Sequence, residues 1–222
     1  MGRQDRPLPD ELAEKQALRG EPPGSLRTAL EKASADLRLP LKSLVLAAHL
    51  SVVGAQTGSD RPVSGLQLNG RPEVVGADRL VGLFLNIVPL SADLTGVTWD
   101  GLARRAFDEE RAVLPFRRFP YPASRELAGR PLFDVVLNFA HFRLWAGLDW
   151  HQEGPRVGAT RMRDKSSHPL VVDVALDAVG DGMRVELTGD CALWDAEDLH
   201  RTAIAYQEAL AALAADPRGP VF

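Results

Sequence analysis

The stretch Val81-Gly82-Leu83-Phe84-Leu85-Asn86-Ile87-Val88-Pro89 carries the strongest information about the fold. It is apolar apart from a single amide, and an apolar run of this length is typical of a strand that is buried on both faces. A buried amide must find hydrogen-bond partners. Asn86 is therefore predicted to be either a structural clamp or part of the wall of a site.

The residues on either side of this stretch alternate between helical and strand periods. After a predicted N-cap at Ser25, apolar residues recur at helical spacing, and Ser43–Val53 is apolar nearly all round, which predicts a central helix. Thr98 and Asp195 are predicted to cap two further helices. Strands are predicted at about Pro62–Leu68, Leu83–Leu90, Leu132–Phe142, Leu170–Leu176 and Met183–Leu187. The pattern indicates an α/β fold in which helices pack over one mixed β-sheet.

The two ends and one internal stretch differ in composition from this pattern. Residues 1–24 are polar and rich in proline, so they are predicted to form a linker or leader, with a short helix around Glu11–Leu18. Residues 25–217 are predicted to form the domain. Residues of about 143–168 form a long glycine-containing segment, and a segment of this length inside a compact domain is usually functional.

Composition narrows the function classes. The 222 residues carry a net charge of −4, from 26 basic and 30 acidic side chains, which argues against general nucleic-acid binding. Cys191 is the single cysteine, so no intrachain disulfide can form, and it is predicted to be a buried, inert thiol. The longest apolar runs are too short to span a bilayer. These features favour a soluble cytoplasmic protein that binds neither nucleic acid nor membrane.

The chain offers few candidates for chemistry. Its five histidines do not lie at metal-ligand spacing, so no metal site is predicted. His49 lies in the apolar helix and is predicted to be a hydrogen-bonded core residue. His141 lies at a strand end beside the long segment, where it would line a cleft or close an edge of the core. The sequence contains no G-x-S-x-G elbow, P-loop or G-x-G-x-x-G fingerprint, and no cofactor is predicted.

Five stretches resemble, in the right order, motifs of nonribosomal peptide synthetase condensation domains. The opening stretch resembles the family's G-x-F-V-N-T signature. The others are Asn69-Gly70-Arg71-Pro72, Arg117-Arg118-Phe119-Pro120-Tyr121, Gly129-Arg130-Pro131-Leu132-Phe133, and the ending from Trp194-Asp195 to Ala215-Asp216-Pro217. Together they cover about residues 25–217. The family's catalytic HHxxxDG motif does not occur in the sequence.

This resemblance implies a single chloramphenicol-acetyltransferase-like lobe, the C-terminal one of the two that make up a condensation domain. In the family, an N-terminal lobe carries the histidine pair, and peptidyl carrier proteins deliver both substrates on phosphopantetheine arms into a tunnel between the lobes. The C-terminal lobe contributes a floor loop, a latch and part of both carrier-docking surfaces. The implied activity is peptide-bond formation between carrier-bound substrates, with an N-terminal lobe supplied in cis or in trans.

The resemblance also implies site residues. Arg71 and the following Pro72–Gly76 would belong to the floor loop, and the stretch after Phe142 would supply the latch. The tunnel and floor positions are Arg71, Asn86, Ser91, Asn138 and His141. Four positions depart from the family pattern: Ile87 replaces threonine, Ser91 replaces arginine, Arg117-Arg118 replaces Gln-Asp, and His141 replaces a frequent asparagine.

Two other functions remain open at this point. The chain would be a stand-alone acyltransferase if His141 acts as its base, and then His141→Ala would remove nearly all turnover. Alternatively, it would be a non-catalytic interaction module that docks carrier proteins or a partner enzyme, or that forms a homodimer through an exposed apolar face.

Overall fold

The computed structural model describes residues 15–20, 22–141, 167–176 and 182–221. Within these residues, six strands form one mixed sheet in the order β1-β6-β5-β4-β2-β3. The strands are β1 Lys15–Gly20, β2 Val63–Asn69, β3 Leu85–Ser91, β4 Val135–His141, β5 Leu170–Leu176 and β6 Met183–Asp190. The β2–β4 and β4–β5 pairs are parallel and the other pairs are antiparallel. The predicted α/β class with a mixed sheet is confirmed.

Among the described residues, all the helices except the fourth pack on one face of the sheet. The helices are α1 Gly24–Leu37, α2 Leu41–Thr57, α3 Trp99–Val113, α4 Tyr121–Ala128 and α5 Ala196–Ala215. Every residue of α2 from Ser43 to Gly54 is buried, which confirms the predicted central helix. Its leucines pack with Trp99, Tyr206 and the inward side chains of β4 to β6 in the main core. Burial of this apolar surface is the dominant favourable contribution to the stability of the fold.

A smaller apolar cluster lies on the opposite face of the sheet. Phe133, Val136 and Val171 are buried there, with Tyr121 and Ile87 packed against them. Gly65 of β2 makes this packing possible, because a Cβ at that position would lie 2.4 Å from the Phe133 ring. The cluster holds α4 against this face.

The opening stretch is where the sequence-based expectation was wrong. The strand begins only at Leu85, and β3 lies at an edge of the sheet rather than in its interior. Val81 and Leu83 precede the strand and are almost fully exposed. Hydrophobic composition indicates that these residues need a covering surface, but the described part of this chain does not supply one.

Three further expectations need correction. Residues 15–20, which fall in the predicted leader, form edge strand β1 rather than part of a helix, because their backbone pairs with β6 from Lys15↔Asp190 to Gly20↔Val185. The prolines of Pro115–Pro122 predict a loop, but this stretch runs into α4, with Pro122 in the first turn, where a missing N–H costs nothing. Cys191 is exposed, because it lies in the turn that follows β6.

The residues that follow α5 fold back over the start of α3. The N–H groups of Trp99 and Asp100 donate to the carbonyls of Gly219 (3.1 Å) and Pro217 (2.7 Å), and Val221 N–H donates to Val97 O (3.0 Å). We refer to residues 216–221 as the strap. It supplies acceptors to helix N–H groups that have no partner within the helix.

No single helix among the described residues is long and apolar enough to cross a membrane. Helices α1 and α2 pass that test only when taken together, and they meet at an angle of 108°.

Candidate functional site

The loop of residues 70–84 joins β2 to β3 and contains the predicted floor residues. Its base is closed by Gly70 N–H, which donates to Phe84 O (2.6 Å). The Arg71 guanidinium lies inside the loop, where Nη1 donates to Ala77 O and Leu80 O (2.7 Å each) and Cζ lies 4.1 Å from the centre of the Phe84 ring. Arg71 therefore organises the loop that the resemblance assigns to it.

Asn86 lies at the start of β3 and bonds to the segment of residues 114–121, which runs from a 3₁₀ turn into α4. Its Nδ2 donates to Arg117 O (3.0 Å) and Phe119 O (2.6 Å), and its Oδ1 accepts from Tyr121 N–H (3.3 Å). Both polar groups of the side-chain amide are used, in three hydrogen bonds to the backbone. Of the two predicted roles, the geometry is that of a clamp, which fixes the 114–121 segment to the sheet edge.

Two arginines connect the 114–121 segment to the 70–84 loop. Arg118 Nε donates to Gly70 O (3.0 Å) and its Nη2 donates to Arg71 O (3.4 Å). Arg117 Nη2 forms an ion pair with Glu73 Oε1 (2.7 Å), and its Nη1 donates to Leu114 O (3.1 Å). The departure from the family's Gln-Asp pair thus places two cationic side chains against the predicted floor loop.

The loop and the segment together expose an apolar surface, which we call the loop patch. Its members are Val74, Val75, Leu80, Val81, Leu83, Leu85, Phe116 and Phe119. Each exposes at least 40 % of its surface, and Val75 and Val81 are fully exposed. Large exposed apolar surface on a protein is typical of an interaction site.

The remaining predicted site residues lie apart from this cluster. Ser91 lies at the far end of β3, opposite Val63, and its buried Oγ has no hydrogen-bond partner among the described residues. Asn138 lies on the sheet face opposite the main core, where its Nδ2 donates to Asp173 Oδ1 (2.8 Å) on the adjacent strand. Described contacts thus join Arg71 and Asn86 through the 114–121 segment but do not link them to Ser91 or Asn138.

His141 is the last residue of β4, and its backbone pairs with Leu176 of β5. Its side chain lies outside the described part of the structure, as does the predicted latch of about residues 143–168 apart from its last two residues. Its proposed role as a base stays a prediction.

His49 is a core residue, as predicted. Its Nε2 lies 2.6 Å from Ser64 Oγ and its Nδ1 lies 2.7 Å from Tyr206 Oη. Because the Ser64 hydroxyl donates to Val135 O (2.9 Å), Nε2 must carry the proton and Nδ1 must accept from the tyrosine. Burial lowers the pKa of His49 to about 3, so the ring is neutral.

His168 is a buried histidine that the sequence assigned only to the long loop. It stacks on Phe133, with ring centroids 5.5 Å apart, and lies 5.3 Å from the Tyr121 ring. Burial, reinforced by nearby Lys15 and Arg125, lowers its pKa to about 4. The alternating pattern of β5 begins two residues later and gave no sign of this aromatic neighbourhood.

The described residues contain no group of three or more His, Cys, Asp or Glu side chains that could hold a metal ion. Their two buried histidines are both shifted toward the neutral form by burial. Among the described side chains, the acidic group in the loop of Arg71 is the exposed Glu73 carboxylate, and it is held in an ion pair with Arg117.

A sequence model of the Condensation domain family matches residues 3–221. The chain belongs to the condensation-domain family. It is 36% identical over 229 residues to AMB antimetabolite synthetase AmbE of Pseudomonas aeruginosa, a match that spans 99% of this chain and 10% of that protein. The resemblance to nonribosomal peptide synthetase condensation domains is confirmed.

Solved condensation-domain structures share the fold. The first condensation domain of the CDA synthetase superposes with a TM-score of 0.80 at 22% identity, over 97% of this chain and 47% of that one. The X-domain in its complex with OxyB from teicoplanin biosynthesis gives 0.78 at 16% identity, over 100% of this chain and 50% of that one. The chain thus spans about half the length of these solved domains and a tenth of its curated relative.

Proposed function

We propose that this chain is the C-terminal lobe of a nonribosomal peptide synthetase condensation domain. It contributes to peptide-bond formation between carrier-bound substrates only together with an N-terminal lobe. The observation that carries the proposal is the coverage: nearly the whole chain matches about half of each solved condensation domain. The sequence contains no HHxxxDG motif, which supports the same proposal because in the family that motif lies in the N-terminal lobe.

The reaction in this proposal joins two carrier-bound substrates. The acceptor amine attacks the donor thioester carbonyl, a C–N bond forms, the C–S bond breaks, and the donor thiol leaves with the proton that the amine loses. General acid–base groups contribute about 10²–10⁴-fold in typical enzymes. His49 and His168 are buried and hold depressed pKa values, which supports an external source for this contribution.

The carrier-docking part of the proposal rests on the 114–121 segment. Phe116 and Phe119 are exposed there, and Arg118 lies between them on the surface. An apolar surface with cationic side chains suits an acidic partner with an apolar face, because charge complementarity steers its approach. The proposal includes a cytoplasmic location, which the single cysteine of the chain favours.

Reconstitution with a separate N-terminal lobe tests the proposal. The chain is mixed with acyl- and aminoacyl-carrier proteins, with and without a lobe that contains HHxxxDG, and the condensed product is measured by mass spectrometry. We expect product only when both lobes are present, and none when the second histidine of the added lobe is replaced by alanine. Condensation by this chain alone at a normal rate would contradict the proposal.

A second candidate function is a non-catalytic interaction module. The fold likeness to an X-domain whose structure was solved in complex with OxyB favours it, together with the exposed loop patch. The same reconstitution separates the two functions. A module of this kind binds its partner protein in a pull-down but yields no product with any N-terminal lobe.

A further inference from the structure

The 70–84 loop and the 114–121 segment are far apart in sequence but share a continuous set of hydrogen bonds. Asn86 holds the backbone of Arg117 and Phe119, and the two arginine side chains in turn hold Gly70, Arg71 and Glu73. The connection therefore runs from the edge strand through the segment to the loop. Among the hydrogen bonds of the described residues, those of the Asn86 side chain reach the loop only through the segment.

The two arginines contact the loop near its N-terminal end. Arg118 binds the carbonyls of Gly70 and Arg71, next to the Gly70–Phe84 bond that closes the loop base. Arg117 binds Glu73, whose side chain is otherwise largely exposed. Because the Arg71 side chain organises the loop interior, the position of its backbone determines where the exposed Val75 and Val81 are presented.

The outer side of the same segment is exposed. Phe116 and Phe119 flank the two arginines and face solvent, so a partner that packs on them contacts the residues that hold the loop. We propose that Arg117 and Arg118 are positioning residues that couple the 114–121 segment to the 70–84 loop, so that a protein bound on Phe116 and Phe119 also sets the conformation of the loop.

The hydrogen bonds between the 114–121 segment and the 70–84 loop are present in the chain without any bound protein. The identification of the bound protein as a carrier protein, and of the loop as a tunnel floor, rests on the proposed function. Individually these bonds are weak, because Arg118 and Glu73 are exposed to solvent. Their joint effect is expected on local opening of the loop rather than on global unfolding.

Hydrogen exchange in the free chain tests the connection. In the double variant Arg117→Gln/Arg118→Gln, amide exchange in residues 72–83 is expected to rise about 3- to 30-fold, because three side-chain bonds to the loop are lost. Exchange in α5 and the melting temperature should stay unchanged, since the substitutions lie at the surface. Arg130→Gln, at an exposed arginine outside both segments, is the matched control. Unchanged loop exchange in the double variant would overturn the inference.

Substitution of Asn86 tests whether its effect on the loop passes through Arg117 and Arg118. Asn86→Ala should also raise loop exchange, and it should add nothing in the Arg117→Gln/Arg118→Gln background. An equal rise in both backgrounds would show that Asn86 acts through the β3 backbone and would overturn the proposed path. Asn86→Asp, which keeps the acceptor for Tyr121 N–H but removes both donors, serves if the alanine variant fails to fold.

Addition of a holo carrier protein separates this inference from the proposed function. We expect the carrier to slow exchange in residues 72–83 of the wild-type chain and to leave that of the double arginine variant unchanged at matched occupancy. A carrier that binds without any change in loop exchange would overturn the coupling and leave the proposed function intact. The absence of carrier binding would count against the docking part of the proposed function, whereas the free-chain results would still decide the connection.

Discussion

His49 is a buried base in a chain of hydrogen bonds that joins α2, α5, β2 and β4. Tyr206 and Ser64 each satisfy one ring nitrogen, and the Ser64 hydroxyl donates a hydrogen bond to the Val135 carbonyl. Satisfied networks of this kind define one packing arrangement of a core, because every alternative leaves a polar group unpaired. This role agrees with the structural interpretation of His49 from sequence.

The depressed pKa of His49 predicts a pH dependence of stability. Its folded pKa of about 3 lies below the ordinary histidine pKa of 6.5, so below pH 6.5 the unfolded chain gains a proton that the folded chain does not. The free energy of unfolding therefore decreases as pH falls from 6.5 toward 3, by up to about 1.4 kcal/mol per pH unit for this group. His168 acts in the same direction below its own ordinary pKa.

Urea unfolding at several pH values measures this effect. His49→Gln should be less stable than wild type at pH 7 by about 1–3 kcal/mol, because one ring partner loses its bond. It should also lose less stability between pH 6.5 and 4.5 than wild type. His200→Gln, on the exposed side of α5, is the control and should keep the wild-type slope. Equal slopes in wild type and His49→Gln would contradict the prediction.

At the level of elements, the strap and helix α3 form one unit although they are distant in the chain. The carbonyls of Pro217 and Gly219 accept from the first turn of α3, and Val221 packs against the main core. Thr98 occupies the predicted N-cap position, but its hydroxyl donates to Asp100 Oδ1. The strap thus performs the capping that the sequence assigned to a local side chain.

Removal of the strap should destabilise α3. A chain that ends at Asp216 loses three backbone hydrogen bonds and the apolar contact of Val221, which predicts a loss of about 1–3 kcal/mol in the free energy of unfolding. Exchange at Trp99 and Asp100 amides should rise accordingly. Arg218→Ala, which retains every carbonyl of the strap, should remain within about 0.5 kcal/mol of wild type. Wild-type exchange at these two amides in the shortened chain would exclude the capping role.

Local sequence patterns correctly predicted the strands and helices that are covered by other residues of the same chain. The alternation in Leu170–Leu176 matches β5 residue for residue, and Asp195 caps α5 in a capping box with Asp198. Strand β3 was predicted at the correct place but with the wrong environment. Hydrophobicity does not tell whether the surface that covers a residue comes from the same molecule.

The candidate site could likewise be predicted only in part. Motifs in the sequence indicate Arg71 and Asn86 as site residues. Their hydrogen-bond partners cannot be derived from periodicity, because those of Asn86 lie up to 35 residues away along the chain. The Arg117-Arg118 pair was noted as a departure from the family, and its contacts with the loop became visible only in the fold. The stacking of His168 on Phe133 likewise depends on tertiary packing.

At the scale of the whole molecule, the loop patch predicts self-association of the isolated chain. Apolar residues from Val74 to Leu85, with Phe116 and Phe119, are exposed over one end of the sheet. Burial of apolar surface contributes roughly 25 cal/mol per Å², which favours association of two patches when no other partner is present. The homodimer expected from the sequence would use this surface.

Light scattering at high protein concentration checks the prediction. The wild-type chain should form dimers or larger species, and Val75→Asp/Leu83→Asp should reduce them while unfolding free energy changes by less than about 0.5 kcal/mol, since both side chains are exposed. Leu127→Asp, at an exposed leucine of α4 outside the patch, is the matched control. A wild-type chain that stays monomeric at high concentration would contradict this use of the patch.

During synthesis on a ribosome, Trp99 and Asp100 emerge about 120 residues before the carbonyls of Gly219 and Pro217 that they require. At ordinary elongation rates this interval is on the order of 10 s. Strand β1 likewise stays unpaired until β6 has been synthesised, because β6 is its only partner among the described strands. During synthesis, α3 therefore lacks its cap until residues 217–221 appear, and β1 lacks its partner until residues 183–190 appear, which exposes both elements to chaperones in the interval.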